Sequence, residues 1–163
     1  AEAVGVGAVV FADLKNARQL EISFSLEDIV RFDGETGPYL QYTYARSRSL
    51  LAKGDEAGAA PLPGEASAEK YASYLTGDSA WELLTLLLRY PDYVSQAARK
   101  LEPSVLAKYL LDLGRQFNRF YARERILAEH PEEKAAKLLL ARAAGDCIRD
   151  GLSLLGIRAP EQI

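Results

Sequence analysis

The chain has 163 residues, of which 48% are hydrophobic and 26% are charged, with a formal net charge of -3. This balance is typical of one globular domain, alone or with a fragment of another, and excludes a disordered chain. The acidic pI of about 5.3 excludes a uniformly basic nucleic-acid coat protein. No apolar run approaches the roughly 20 residues that a membrane span needs. A single cysteine fits a reducing compartment, and the lack of methionine, even at position 1, indicates a piece of a longer protein.

The first 33 residues contain short elements of mixed character. The opening segment VGVGAVVFADL is apolar, and its pattern leaves helix and strand both open. Residues 18–26, RQLEISFSL, alternate apolar and polar side chains, which predicts a short half-buried strand. Ser25 followed by Asp28 resembles a capping box and predicts a short helix over LEDIVRF.

A Gly-rich turn at residues 34–37 leads into the first long helix. Pro38 suits the first helical position, and the helix is expected to run to about Ala52. Residues 54–67, GDEAGAAPLPGEAS, lack periodicity and are rich in Gly, Ala and Pro, so a mobile surface loop is predicted there.

The remainder is predicted to be helical. Ser79 and Glu82 have the spacing of a capping box before WELLTLLLRY. Pro91, Pro103 and Pro131 each occupy a helix start, and Gly156 ends the last helix. One apolar stripe with steps of three and four marks a core-facing side, formed by Leu106, Leu110, Leu113, Phe117 and Phe120. The fold class is therefore all-α, a bundle of about five helices from Pro38 onward with a short extended segment near the N-terminus.

Two basic blocks stand in an acidic background. Residues 39–53 carry three basic and no acidic side chains, and residues 99–125 carry seven basic and three acidic ones. Both blocks contain tyrosines. Such segregation permits local contact with a polyanion, although solvated helix faces would explain the charge alone more simply.

The first block places Tyr39, Tyr42 and Arg46 on one helix face, because steps of three and four bring side chains together. Tyr44 points elsewhere and is expected to pack. Exposed tyrosines beside an arginine can stack on unpaired bases. Burial of the rings against neighbouring helices is the alternative, and both interpretations remain open on the residues alone.

The second block places another candidate surface in residues 113–127, LGRQFNRFYARERIL. Asn118, Tyr121 and Arg125 share a face beside the core stripe, and three further arginines recur at steps of four, Arg115, Arg119 and Arg123. The polar strip could follow phosphates while the tyrosine stacks. The alternative is an ordinary amphipathic helix with a charged outer side.

Catalytic chemistry has little support in the sequence. His130 precedes a helix-opening proline and suits a capping or surface role, and Cys147 lies in an Ala- and Leu-rich helix as a buried thiol. Trp81 is expected to be a core side chain. No metal-ligand cluster and no glycine-rich nucleotide loop occur, so no catalytic residue and no metal site are predicted.

Four segments in this order, VGVGAVVFADL, DGETGPYLQYTYARSRSLL, YLLDLGRQFNRFYARERIL and GLSLLGIRAPEQI, together resemble the C-terminal part of arginyl-tRNA synthetase. The resemblance implies that residues 34–163 are an all-helical anticodon-binding domain of the DALR type. Residues 1–33 would then be the end of the catalytic half and its connection. It implies further that the full enzyme joins arginine to its tRNA using ATP in the cytoplasm. The family's HIGH-like and KMSK-like motifs are absent here, so the chain alone is expected to be inactive and to bind no cofactor.

The resemblance also assigns partners and site residues. The partners are the tRNA anticodon arm and the N-terminal catalytic half of the same protein, with no membrane. Tyr39 and Tyr42 match the paired tyrosines of the family's PYLQY motif, and Tyr121 matches the tyrosine of its F-N-x-F-Y helix. The full predicted tRNA-binding set is Tyr39, Tyr42, Arg46, Asn118, Tyr121, Arg125 and Ile163. The alternative function is a helical protein-interaction module that uses the same tyrosine-rich surface.

Overall fold

The computed structural model describes residues 1–17, 19, 25–56 and 71–163, and within these ranges the regular structure is entirely α-helical. The helices in chain order are α1 (Glu2–Leu14), α2 (Leu26–Ile29), α3 (Gly37–Glu56), α4 (Asp78–Leu88), α5 (Tyr90–Lys100), α6 (Pro103–Arg123) and α7 (Pro131–Leu154). The predicted all-α bundle is confirmed. The predicted strand at residues 18–26 falls largely outside the described residues, as does most of the predicted loop at residues 54–67.

The opening apolar segment, which the sequence left open, is helical and belongs to the same core as the later helices. Phe11 of α1 is fully buried in one cluster with Leu40 of α3 and Leu113 of α6. α1 packs directly on α3. One close approach is at Gly37, where a Cβ would lie 2.6 Å from the Gly7 carbonyl oxygen.

That contact predicts a measurable difference between two glycine substitutions. Gly37→Ala is expected to destabilise the chain by about 1–3 kcal/mol, because its new methyl group meets backbone that has little room to move. Gly5→Ala is the matched control, since nothing lies within 4 Å of its added Cβ and alanine favours a helix interior over glycine by about 0.5–1 kcal/mol. Denaturant unfolding of both variants measures the difference. Equal effects at the two sites would show that α1 does not pack on α3 in this way.

The core stripe of α6 is confirmed, since all five of its side chains are buried. Tyr44 is 1% exposed, which confirms its predicted packing role. Trp81 contradicts its prediction, because its side chain is 65% exposed. The buried residues of α4 are Ser79, Ala80 and Leu83, and Trp81 projects from another side of that helix.

The helix ends in the structure match the predicted caps and bounds only in part. Ser25 Oγ accepts from Asp28 N at 3.4 Å, as the capping pattern predicts, and Gly156 follows α7 with φ of +75°. The capping box at Ser79 is wrong: α4 starts after Gly77, and Ser79 Oγ donates to Glu124 at 2.9 Å. α3 also extends beyond its predicted end, to Glu56.

None of the helices that the structure describes is both long and apolar enough to cross a membrane.

Candidate nucleic-acid interface

The candidate interface lies where α3 and α6 pack side by side. Their close approach is at Gly114 of α6, where a Cβ would lie 3.0 Å from Leu40 Cδ2 and 3.2 Å from Tyr39 Cε1. An added methyl group would press on these two side chains, which would have to shift by a few tenths of an ångström. The short separation brings polar and aromatic side chains from both predicted basic blocks into direct contact.

Asn118 is the centre of a hydrogen-bond network between these helices. Its Nδ2 donates to Tyr39 Oη at 3.0 Å and to Thr43 Oγ1 at 3.1 Å, and its Oδ1 accepts from Arg46 Nη1 at 2.6 Å. Because a guanidinium only donates, the orientation of the amide follows from its partners. Both amide hydrogens and the oxygen of Asn118 are engaged in this network, which holds the surrounding side chains in place.

Arg46 lies between two exposed rings. Its guanidinium carbon is 4.9 Å from the centre of the Tyr42 ring and 5.2 Å from that of Tyr121, within the range of cation–π attraction. Tyr42 is 41% exposed and Tyr121 is 39% exposed. The result is a ring–guanidinium–ring surface, which we call the aromatic cluster.

Phe32 adds a third exposed ring to the aromatic cluster. Its centroid is 6.1 Å from that of Tyr42 with the planes at 73°, an edge-to-face contact, and the side chain is 48% exposed. The loop that presents it is fixed by Thr36, whose Oγ1 donates to the Arg31 carbonyl at 2.6 Å and accepts from Tyr39 N at 3.1 Å. The sequence places Phe32 at the end of the predicted helix LEDIVRF and therefore does not predict this contact; α2 ends at Ile29, and Phe32 lies in the turn before α3, two residues before Gly34.

The structure brings together five of the seven predicted site residues, Tyr39, Tyr42, Arg46, Asn118 and Tyr121. Tyr39 differs from the others, because its ring is half-buried and its hydroxyl group accepts the bond from Asn118. It supports the network, whereas Tyr42 and Tyr121 present ring faces to solvent.

The other two predicted residues lie outside the aromatic cluster's contacts. α6 ends at Arg123, so the expected helix face does not extend to Arg125. Arg125 pairs instead with Glu129 at 3.1 Å on the exposed surface. Ile163 is 51% exposed at the chain end, beyond an ion pair of 3.3 Å between Glu161 and Arg48 of α3.

The arginines of the predicted phosphate strip are largely compensated by carboxylates. Arg115 pairs with Asp112 at 2.7 Å and Glu35 at 3.3 Å, and Arg119 pairs with Glu82 at 2.8 Å. The bond to Asp112 is the main reason why the pKa of Arg115 is raised. Arg46 bonds to a neutral amide, so its charge remains available to an anionic ligand.

The structure also gives the surroundings of the cysteine, the histidine and the acidic side chains that could carry catalytic or metal chemistry. No group of three or more metal-ligating side chains is present in the described ranges. Burial raises the pKa of the Cys147 thiol to about 11, so the nucleophilic thiolate is scarce at neutral pH. His130 is exposed beside the start of α7, and its ring lies 5.3 Å from that of Tyr74.

Exposed rings beside a guanidinium that forms no ion pair within the described residues make a surface on which unpaired bases can stack. The model of the DALR anticodon binding domain matches residues 40–163. The chain belongs to this family.

The chain is also similar to individual proteins in sequence and in structure. The chain is 44% identical to the arginine–tRNA ligase of Pediococcus pentosaceus and 45% identical to that of Enterococcus faecalis, over all of this chain and 27% of each relative. The solved arginyl-tRNA synthetase of Thermus thermophilus superposes with a TM-score of 0.81 at 33% identity, over 99% of this chain and 27% of that one. The chain therefore spans about a quarter of the length of these relatives.

Proposed function

We propose that this chain is the anticodon-arm-binding, C-terminal part of an arginine–tRNA ligase, an enzyme that joins arginine to its tRNA using ATP in the cytoplasm. The observation that supports this most directly is the aromatic cluster, in which Arg46 lies between the exposed rings of Tyr42 and Tyr121. The family match and the ligase relatives support an arginine tRNA as the RNA in this proposal.

The proposed mechanism is positioning. Tyr42 and Tyr121 stack on unpaired bases of the anticodon loop, each stack contributing about 1–3 kcal/mol. Arg46 neutralises a neighbouring phosphate. Because Asn118 already holds Arg46 in place, little ordering of the side chain opposes binding. Arg125 and Ile163 complete the site in this proposal, as contacts at its margin.

The same proposal assigns a role to each part of the enzyme. Residues 34–163 form the anticodon-binding domain, and residues 1–33 connect it to the catalytic half. ATP and arginine bind in that other half, and this chain contributes no catalytic residue. The bound anticodon arm orients the acceptor end of the tRNA toward the catalytic half.

Tyr121→Ala is expected to weaken binding of an RNA hairpin with the sequence of an arginine-tRNA anticodon arm by about 1–3 kcal/mol. The cause is the loss of one stacking ring that is already partly in solvent, so the fold should persist. Fluorescence anisotropy of labelled hairpin gives the affinity, and circular dichroism reports the helical content.

Trp81→Ala is the matched control, since Trp81 is an exposed ring on α4 outside the aromatic cluster. Equal weakening by both variants would contradict a specific role for Tyr121. Affinity that is insensitive to salt would instead favour the protein-interaction alternative, because RNA binding releases counterions and weakens steeply as salt rises.

A further inference from the structure

Gln41 joins three separate parts of the chain. Its side chain is 0% exposed, and its Nε2 donates to the Ala3 carbonyl at 2.9 Å and to the Arg158 carbonyl at 2.7 Å. Ala3 lies in the first turn of α1, and Arg158 lies in residues 157–163, the segment after α7 that we call the C-terminal tail. One carboxamide therefore connects α3, α1 and the C-terminal tail.

The surroundings of Gln41 leave this amide a single favourable orientation. A flipped amide would turn its oxygen toward two carbonyl oxygens, which only accept. A Cβ at Gly7 would lie 2.7 Å from Gln41 Nε2 and 3.1 Å from Ile157 Cγ2, so α1 and the C-terminal tail enclose the group closely. Gln41 Oε1 is buried without a partner among the described residues. The site thus leaves one acceptor unpaired while both amide hydrogens are used.

The second polar attachment of the C-terminal tail to α3 is weak. Arg48 and Glu161 form an ion pair at 3.3 Å, but their side chains are 37% and 63% exposed, and exposed pairs contribute little. Gln41 and Arg48 are seven residues apart and share one face of α3. The C-terminal tail ends at Ile163, which the proposed function includes in its RNA-binding set.

We propose that Gln41 is a positioning residue, whose carboxamide holds the C-terminal tail, and with it Ile163, against α3 and ties it to α1. Gln41 does not contact RNA, since it is fully buried. Its effect on RNA binding acts through the C-terminal tail, and that part rests on the proposed function. Its effect on the tail itself is independent of RNA.

The first test is release of C-terminal residues by carboxypeptidase from the folded 163-residue chain. Gln41→Leu keeps a side chain of similar size but removes both donors, and release is expected to accelerate about tenfold, the factor for roughly 1.4 kcal/mol. Gln116→Leu is the matched control, because the Gln116 amide bonds to α4 at Ser79 and Glu82, remote in sequence from the tail. It should leave the rate unchanged.

The second test is a double-variant cycle with deletion of residues 160–163. Gln41→Leu is expected to weaken binding of the anticodon-arm hairpin about five- to tenfold in the full chain, and less than twofold in the shortened chain, where the held segment is gone.

Two results with Gln41→Leu would overturn the inference. One is an unchanged release rate in Gln41→Leu; the other is the same loss of affinity in the full and shortened chains, which would mean that Gln41 acts on α3 directly. If Gln41→Leu does not fold, Gln41→Met is used, since it keeps an unbranched side chain of similar length and has no hydrogen-bond donor. If neither variant folds, deletion of residues 160–163 decides: unchanged hairpin affinity rejects the role of the tail. A chain that binds no hairpin but shows accelerated release would refute the proposed function and leave this inference standing.

Discussion

Lys137→Met is expected to destabilise the chain by about 3–5 kcal/mol, because it leaves a buried carboxylate without its partner. The Lys137 side chain is 8% exposed and its Nζ lies 3.0 Å from Glu124, whose side chain is 17% exposed, and 2.8 Å from Glu133. Glu124 directly follows α6 and also accepts from Ser79 of α4. The pair therefore joins three helices, α4, α6 and α7. Denaturant unfolding at neutral pH gives the size of the effect.

The double variant Lys137→Met with Glu124→Gln is the control for this prediction. It removes both charges together, so it should be much less destabilised than the sum of the two single variants. Simple addition of the two effects would show that the side chains do not interact.

The pH dependence of stability identifies the same pair. Burial opposes the charge on Glu124, but hydrogen bonds from Lys137 and Ser79 leave its pKa below the ordinary value of 4.5. Burial also opposes the charge on Lys137, but bonds to Glu133 and Glu124 leave its pKa above the ordinary value of 10.5. The stabilisation that this ion pair gives to the folded chain should therefore be complete between the two ordinary pKa values, 4.5 and 10.5. It should be lost as pH falls through the folded pKa of Glu124 or rises through that of Lys137.

Arg46→Ala is expected to weaken binding of the anticodon-arm hairpin by about 3 kcal/mol, roughly a hundredfold. The substitution removes the cation between Tyr42 and Tyr121 and leaves Asn118 Oδ1 without its donor. Losing one phosphate contact should also reduce the slope of log affinity against log salt by about one. Titrations of the hairpin at several salt concentrations measure both quantities.

Two further variants separate charge from geometry at Arg46. Arg142→Ala makes the same change of charge on α7, where Arg142 pairs with Asp146, and should have little effect. Arg46→Lys keeps the charge but lacks the planar fork, so it should restore the salt slope without restoring the affinity. If Arg46→Ala and Arg142→Ala weaken binding equally, the affinity for the RNA depends only on the net charge of the chain, and the aromatic cluster is not the binding site.

Much of this fold and part of this site could be predicted from the sequence. The spacing of Leu106 through Phe120 located the buried side of α6, and the step from Tyr42 to Tyr44 separated an exposed ring from a buried one. Both rest on helical periodicity, which a short stretch of sequence contains in full. The prolines at 103 and 131 likewise located two helix starts, because the constraint that proline imposes is local.

Other features depended on partners far away in the chain. Ser79 bonds to Glu124, 45 residues away, and not to its own helix end, because a buried carboxylate needs a donor. Trp81 is exposed because other residues of α4 meet the core. Periodicity states which side chains share a face, but it does not state which faces meet.

The sequence by itself determined that this protein is a helical bundle, that its tyrosines and arginines concentrate in two blocks, and which side of each helix they occupy. Only the tertiary structure decided that the two blocks pack side by side, where Arg46 and Asn118, 72 residues apart, share a hydrogen bond. It also placed Phe32 in the aromatic cluster and left Arg125 beyond the end of α6. The physical reason is that helical position is set by neighbours in sequence, whereas the meeting of α3 and α6 depends on close packing around Gly114, which only the folded chain creates.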